Sequence, residues 1–204
     1  MENKIIKMEK LKHKLLELKA CNEAVIWSNG KNINEVWETC HRGDWMLWLF
    51  SRTNPDDIRL LTLAKGHCAN TVRHLMNDQR SVNAVDAAIN FGNWKISIDE
   101  LNVFAKESYS AYTAISAASN AASYAAYAAY AVFAVNAVFD SASASSDAAA
   151  LAGFIEAIDN ARPNGGNGTP AYLRVYDLAK AYARKDNQLL TSDICRKYLS
   201  CPVI

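Results

Sequence analysis

The densest group of residues able to take part in binding lies within residues 40–50, which read CHRGDWMLWLF. Trp45 and Trp48 are three residues apart, so a helix would place both indole rings on one face. Arg42 and Asp44 precede this face and bring opposite charges to its edge. Tryptophan and arginine are the residues that most often anchor protein interfaces. The competing interpretation is that both tryptophans fill the core and Asp44 only caps a helix, which is the commoner environment for such residues.

A metal or catalytic site has little support in the residue spacing. Glu38 and His41 have the spacing of half a carboxylate metal site, but the sequence holds no second Glu-x-x-His. His67 and His74 are seven residues apart, and two helical turns would separate their side chains by about 10 Å, too far to share a small ion. We therefore expect no metal, no cofactor and no catalytic residue. An enzyme site assembled in three dimensions from Glu38, His41 and Asp44 stays an alternative.

The composition excludes some classes of partner. The chain has 204 residues, half of them hydrophobic, 21% charged residues and a net charge of +1. Nucleic-acid binding needs a concentrated basic surface, so nucleic acid is not the expected partner. The five cysteines are an odd number and form no C-x-x-C motif. This pattern is typical of reduced thiols in a cytoplasmic protein.

Two segments bear on membrane association. Residues 108–139 carry no charge and are long enough to cross a bilayer. Thirteen of these 32 residues are Ser, Thr, Asn or Tyr, and most of the rest are Ala, which gains little free energy from lipid. We expect this segment to be buried in a helical bundle and expect no membrane insertion. Residues 1–19 alternate charged and apolar side chains, which predicts a basic amphipathic helix and not a signal peptide.

Helical patterns dominate the sequence, and no stretch has the alternation of a strand. Nineteen alanines between Ala111 and Ala152 predict one long central helix. Its small side chains would let another helix approach closely, which also predicts possible self-association. Residues 163–169 are glycine-rich and lack the ending of a phosphate-binding loop, so they predict a connection before the C-terminal helices. Residues 1–204 are thus predicted to form a single all-α domain, a bundle of about eight helices.

An ordered series of motifs resembles a known family. The motifs are Ala20-Cys21, Trp27, Trp37-x-x-Cys40, Arg42-x-Asp44-Trp45-x-x-Trp48-Leu49, His67-Cys68-Ala69 followed by Arg73, Asp78-x-Arg80, and the alanine-rich segment. Together they resemble the fifth numbered family of predicted immunity proteins of bacterial polymorphic toxin systems. The resemblance covers residues from about 18 to 151, and its most specific part is the D-W-x-x-W-L core with the upstream W-x-x-C.

The resemblance implies an all-α, non-enzymatic protein that neutralises a cognate toxin by binding it. The residues that we assign to partner binding are Arg42, Asp44, Trp45, Trp48, Arg73 and Arg80. The alternative is a phage-encoded anti-defence protein that sequesters a host defence protein or nucleotide. Arginines near aromatic residues favour a possible nucleotide ligand, because guanidinium groups bind phosphates and aromatic rings stack on bases.

Overall fold

The computed structural model describes residues 2–115, 121–133, 140–161 and 170–204. Over these ranges the chain forms ten α-helices and one 3-10 helix, and no β-strand occurs within them. The α-helices are α1 (Glu2–Glu17), α2 (Asn22–Ser28), α3 (Ile33–Thr39), α4 (Gly43–Thr53), α5 (Ile58–Asn70), α6 (Gln79–Gly92), α7 (Ile98–Ile115), α8 (Ala121–Ala131), α9 (Asp140–Ala161) and α10 (Pro170–Tyr198). The 3-10 helix spans Arg73–Leu75. The all-α prediction is confirmed, and the predicted loop at 163–169 lies outside the described residues.

The described helices outnumber the eight or so that the sequence predicts, and a left-handed residue separates α1 from α2. The backbone of Lys19 is left-handed, with φ of 61°. The amide of Ala20 then donates to the carbonyl of Leu15 at 2.9 Å, which closes the end of α1 in the manner of a Schellman motif. Glycine usually occupies that position, so a lysine there gives no stop signal in the sequence.

The alanine-rich segment turns back on itself. The rings of Tyr112 on α7 and Tyr130 on α8 stack with their centroids 5.8 Å apart. One continuous helix would separate two residues eighteen positions apart by about 27 Å. The single long alanine-rich helix that the sequence predicts is therefore not confirmed, and the segment is distributed over α7, α8 and α9.

Small side chains form one part of the core. Ala125, Ala128 and Ala129 of α8 are fully buried against the neighbouring helices, where Val85 and Ala148 also pack. The alanines of α8 whose burial is described are thus covered within the chain. Self-association stays a prediction. None of the described helices has the length and apolar character needed to cross a membrane.

Large side chains form another part of the core, around α4. Leu47 and Phe50 of α4 are fully buried and pack with Cys68 of α5 and Cys195 of α10. Helix α10 runs unbroken from Pro170 to Tyr198, whereas the sequence predicts two helices in this region. This long helix contacts both α4 and α9, so the C-terminal part of the chain supports the segment that carries the tryptophans.

Candidate functional site

The candidate site begins at an ion pair in front of α4. Asp44 is buried, and its carboxylate accepts two hydrogen bonds from Arg42, from Nε at 2.8 Å and from Nη2 at 2.6 Å. These hydrogen bonds raise the pKa of the Arg42 guanidinium above its ordinary value. The helix begins at Gly43 with Arg42 at the cap position, and no side chain caps it. The interpretation of Asp44 as a helix cap is therefore wrong, because its carboxylate is taken up by Arg42.

The tryptophans flank this ion pair. The guanidinium of Arg42 lies over the ring of Trp45 at 4.6 Å, so Arg42 joins the acid to the aromatic face. The ring of Trp45 also meets Trp27 of α2 edge to face, with centroids 6.1 Å apart. Trp45 and Trp48 are both half-buried, each packing on a core cluster while keeping some surface open. Each tryptophan therefore contributes to the core, and each also offers accessible surface for a partner.

A cavity of about 400 Å³ opens over these residues. Its described walls include Arg42, Asp44, Trp45 and Trp48, so four of the six residues predicted for partner binding lie together. The rim is formed by exposed residues between the end of α1 and the start of α2, namely Lys19, Cys21 and Glu23. We call this cavity the Trp45 cleft.

The other two predicted arginines lie elsewhere. Arg73 is in the 3-10 helix and bonds the carboxylate of Asp86 on α6, with one contact at 2.8 Å. Arg80 bonds Asp78 at 2.7 Å, at the start of α6. Neither lines the Trp45 cleft. The assignment of Arg73 and Arg80 to partner binding stays a prediction, and the structure gives it no shared cavity with Arg42.

The residues of the enzyme alternative do not assemble. The imidazole of His41 packs edge to face on Trp27 at 5.9 Å between centroids. In the described part of the chain no carboxylate lies within hydrogen-bond distance of His41, and Asp44 is held by Arg42. That part also contains no group of three or more His, Cys, Asp or Glu side chains able to hold a metal ion.

Helix α10 positions the site, and the sequence does not indicate this role. Arg196 donates to the carbonyls of Trp37 at 3.2 Å and Cys40 at 2.8 Å, which holds the chain between α3 and α4. Gly43 lies directly against Thr191 of α10, where a Cβ atom would be 2.6 Å from the threonine hydroxyl. The only sequence signal is the Arg42-Gly43-Asp44 tripeptide itself, since glycine allows close approach of a backbone.

Cys40 is buried near the site, and its thiol is held in the protonated form. Its side chain is 3% exposed, and burial raises the pKa of the thiol to about 11. Burial also raises the pKa of Cys195. Cys21, by contrast, is exposed on the rim of the cleft. The thiolate form is the nucleophile, so the accessible thiol near the site is Cys21 and not Cys40.

Comparisons with models of protein families, with curated proteins and with solved structures give no match for this chain. The motifs and the geometry of the site therefore carry the functional interpretation.

Proposed function

We propose that this protein is a non-enzymatic binding protein, an immunity protein that neutralises a cognate bacterial toxin by direct contact at the Trp45 cleft. The observation that carries the proposal is the open cavity in which Arg42, Asp44, Trp45 and Trp48 come together. These are also the residues of the most specific motif in the resemblance to the immunity family. The motif and the cavity are separate observations, since the first is a pattern of sequence and the second a property of the fold.

The chemistry of the cleft suits a polypeptide partner. Two half-buried indole rings supply apolar area at low cost in side-chain entropy. The ion pair of Arg42 and Asp44 is already formed, so a partner need not desolvate an unpaired charge to bind there. Lys19 and Glu23 on the rim carry opposite charges and give a partner loop two polar contacts that select its register.

The setting that we propose is the cytoplasm, where the free thiols of the five cysteines stay reduced. A toxin that acts on an intracellular target would meet its inhibitor there. Neutralisation would follow from occupation of the toxin surface, which requires no catalytic group in the inhibitor.

The second candidate is a phage-encoded anti-defence protein that sequesters a host defence protein. The same cleft would serve, because an aromatic face with a charged rim fits either class of protein partner. The version that sequesters a nucleotide through Arg42, Arg73 and Arg80 has less support. Each of these guanidinium groups already holds an aspartate, which a phosphate would have to displace.

The test is site-specific photo-cross-linking of the full-length chain in its native cells. A benzophenone amino acid replaces Glu23 on the rim of the cleft or, as a control, exposed Lys185 on α10. We expect the rim position alone to trap one protein. That protein is then expressed alone, when it should stop growth, and together with this chain, when growth should recover. Trapping of a harmless defence protein would favour the second candidate instead.

A matched pair of charge reversals tests whether protection against the toxin depends on the Trp45 cleft. Glu23→Lys should weaken protection about tenfold or more, because one rim contact changes sign and meets the partner as a like charge. Glu156→Lys, an exposed residue of α9 outside the cleft, should protect as well as the wild type. Equal loss of protection in both variants would show that the Trp45 cleft is not the binding surface.

A further inference from the structure

A second cavity, of about 380 Å³, shares Trp48 with the Trp45 cleft as a lining residue. The end of α4, the first half of α5, the start of α7 and the residues that follow α8 enclose it. We call it the Lys65 cavity. Its volume is within the range of about 300–1,000 Å³ that small-molecule sites occupy in proteins.

Two cations line the Lys65 cavity. Lys65 is 3% exposed and lies among its buried walls, whereas Arg52 is exposed at its rim. No Asp or Glu occurs among the described residues that line it, although Asp57 and Asp99 are in neighbouring segments. The described lining is therefore positively charged, and low dielectric in a buried site strengthens the attraction of an anion.

Arg52 differs from the arginines of the sequence motifs. Arg52 has no hydrogen-bond or ion-pair partner among the described residues, whereas Arg42 is held by Asp44. The ammonium group of Lys65 carries three N–H donors, so a bond to the protein still leaves donors for a ligand.

The rest of the wall is apolar and aromatic. Trp48 and Phe133 are half-buried, so each keeps part of its ring accessible. Leu101 and Val132 are buried and also line the cavity. Ser51, at the end of α4, adds a hydroxyl group to the lining. An apolar pocket with a few polar groups is the usual form of a site for a small organic ligand.

We propose that the Lys65 cavity binds a small phosphate ester that carries a planar ring, with the phosphate at Lys65 and Arg52 and the ring at Trp48 or Phe133. Charge selects the phosphate, because both cations donate hydrogen bonds to its oxygens. Stacking on an aromatic side chain selects a flat ring without requiring a particular base. This site is separate from the Trp45 cleft, so the inference stands whether or not the protein neutralises a toxin.

The test is isothermal titration calorimetry of the full-length protein with three probes: adenosine 5′-monophosphate, inorganic phosphate and adenosine. We expect the monophosphate to bind best, phosphate to bind more weakly, and adenosine to bind least. Binding of the monophosphate should quench tryptophan fluorescence, since Trp48 lines the cavity. Adenosine that binds as tightly as its monophosphate would overturn the proposal, and so would absence of binding by both phosphate-containing probes.

Three variants test where on the protein the monophosphate binds. Arg52→Gln removes an exposed charge and should leave the fold intact while weakening monophosphate binding about tenfold, the effect of one charge-assisted hydrogen bond. Lys65→Met keeps the length of the side chain and should abolish binding. Lys185→Gln on α10 removes an exposed positive charge outside the cavity; it is the control and should bind like the wild type. Unchanged affinity in Arg52→Gln would contradict the proposal even if Lys65→Met does not fold.

Discussion

The Trp45 cleft and the Lys65 cavity share a wall at Trp48 and have nearly the same volume, about 400 and 380 Å³, but they differ in charge. In the cleft the cation of Arg42 is neutralised by Asp44, to which it donates two hydrogen bonds. In the cavity the described lining holds two cations and no carboxylate. The cleft therefore suits an interface of balanced charge, and the cavity suits an anion.

The comparison teaches that an arginine in a motif is informative only when its partner is known. Arg42 and Arg80 each bond an aspartate two residues away in the sequence. That adjacency can be read from the order of residues alone, and it indicates a self-contained ion pair. Arg52 has no aspartate two residues away, and no motif includes it. Its guanidinium nevertheless has no partner among the described residues.

The largest expected effect comes from comparing glycine substitutions beside the two sites, at Gly43 next to Asp44 and at Gly66 next to Lys65. Gly43→Ala places a Cβ atom 2.6 Å from the hydroxyl of Thr191, so α4 and α10 must move apart. We expect a loss of about 3 kcal/mol in the free energy of unfolding, measured by chemical denaturation. Gly66→Ala, next to Lys65, meets Ala88 at 3.1 Å and gains helix propensity, so it should stay within about 1 kcal/mol of the wild type. Equal losses would contradict the close packing assigned to Gly43.

The next effect concerns the ion pair. Asp44→Ala leaves the guanidinium of Arg42 half-buried without its main acceptor and should lower the free energy of unfolding by about 2 kcal/mol. Arg52→Gln removes an exposed charge from the other site and should change it by less than about 0.5 kcal/mol. Thermal unfolding of both variants measures the difference. Similar values for the two would remove the contrast between a satisfied and an open cation.

A third effect concerns thiol reactivity at the cleft. Cys21 on the rim should react with iodoacetamide well before Cys40, because the pKa of Cys40 is about 11. At pH 8 roughly 0.1% of Cys40 is thiolate, and that fraction rises as the pH approaches 11. Mass spectrometry of the labelled peptides measures both rates. In urea the two rates should become similar, and early labelling of Cys40 in the native state would mean that the cleft opens to it.

The smallest effect tests which acid neutralises Arg42. Glu23 approaches the same guanidinium at 3.8 Å, but its side chain is 74% exposed. Glu23→Gln should therefore change the free energy of unfolding by less than about 0.5 kcal/mol. A loss comparable to that of Asp44→Ala would mean that the rim, and not the buried acid, balances the charge of the cleft.

Local patterns in the sequence predict part of this protein correctly. The Ser97-x-x-Glu100 spacing predicts a capping box, because a serine and a glutamate three residues apart can each bond the backbone amide of the other. The box forms, with the amide of Ser97 donating to the Glu100 carboxylate at 2.8 Å and the amide of Glu100 donating to the Ser97 hydroxyl at 3.2 Å. The grouping of Arg42, Asp44, Trp45 and Trp48 also follows from spacing, because all four lie within seven residues at the start of one helix. Such features depend on neighbours in the chain, which a sequence displays directly.

Features that depend on distant partners are not predictable in this way. The reversal between Tyr112 and Tyr130 has no glycine or proline in the sequence to mark it, and α10 continues through Ser192 and Asp193, where the sequence predicts a new helix. Alanine favours a helix but carries no information on where the helix ends. The contact of Gly43 with Thr191 joins residues that are far apart in the chain. Tertiary packing decides where these helices end and which of them touch, because one pattern of residues permits several arrangements.

The sequence by itself determined the all-α class and the grouping of Arg42, Asp44, Trp45 and Trp48, because helical periodicity and short spacings are local properties. The tertiary structure alone decided which charged groups from distant segments meet. It joined Arg73 to Asp86 across thirteen residues and brought Arg52 and Lys65 from two helices to one cavity. The balance of charge in a site is a sum over all the segments that meet there, and only the folded chain fixes which segments meet.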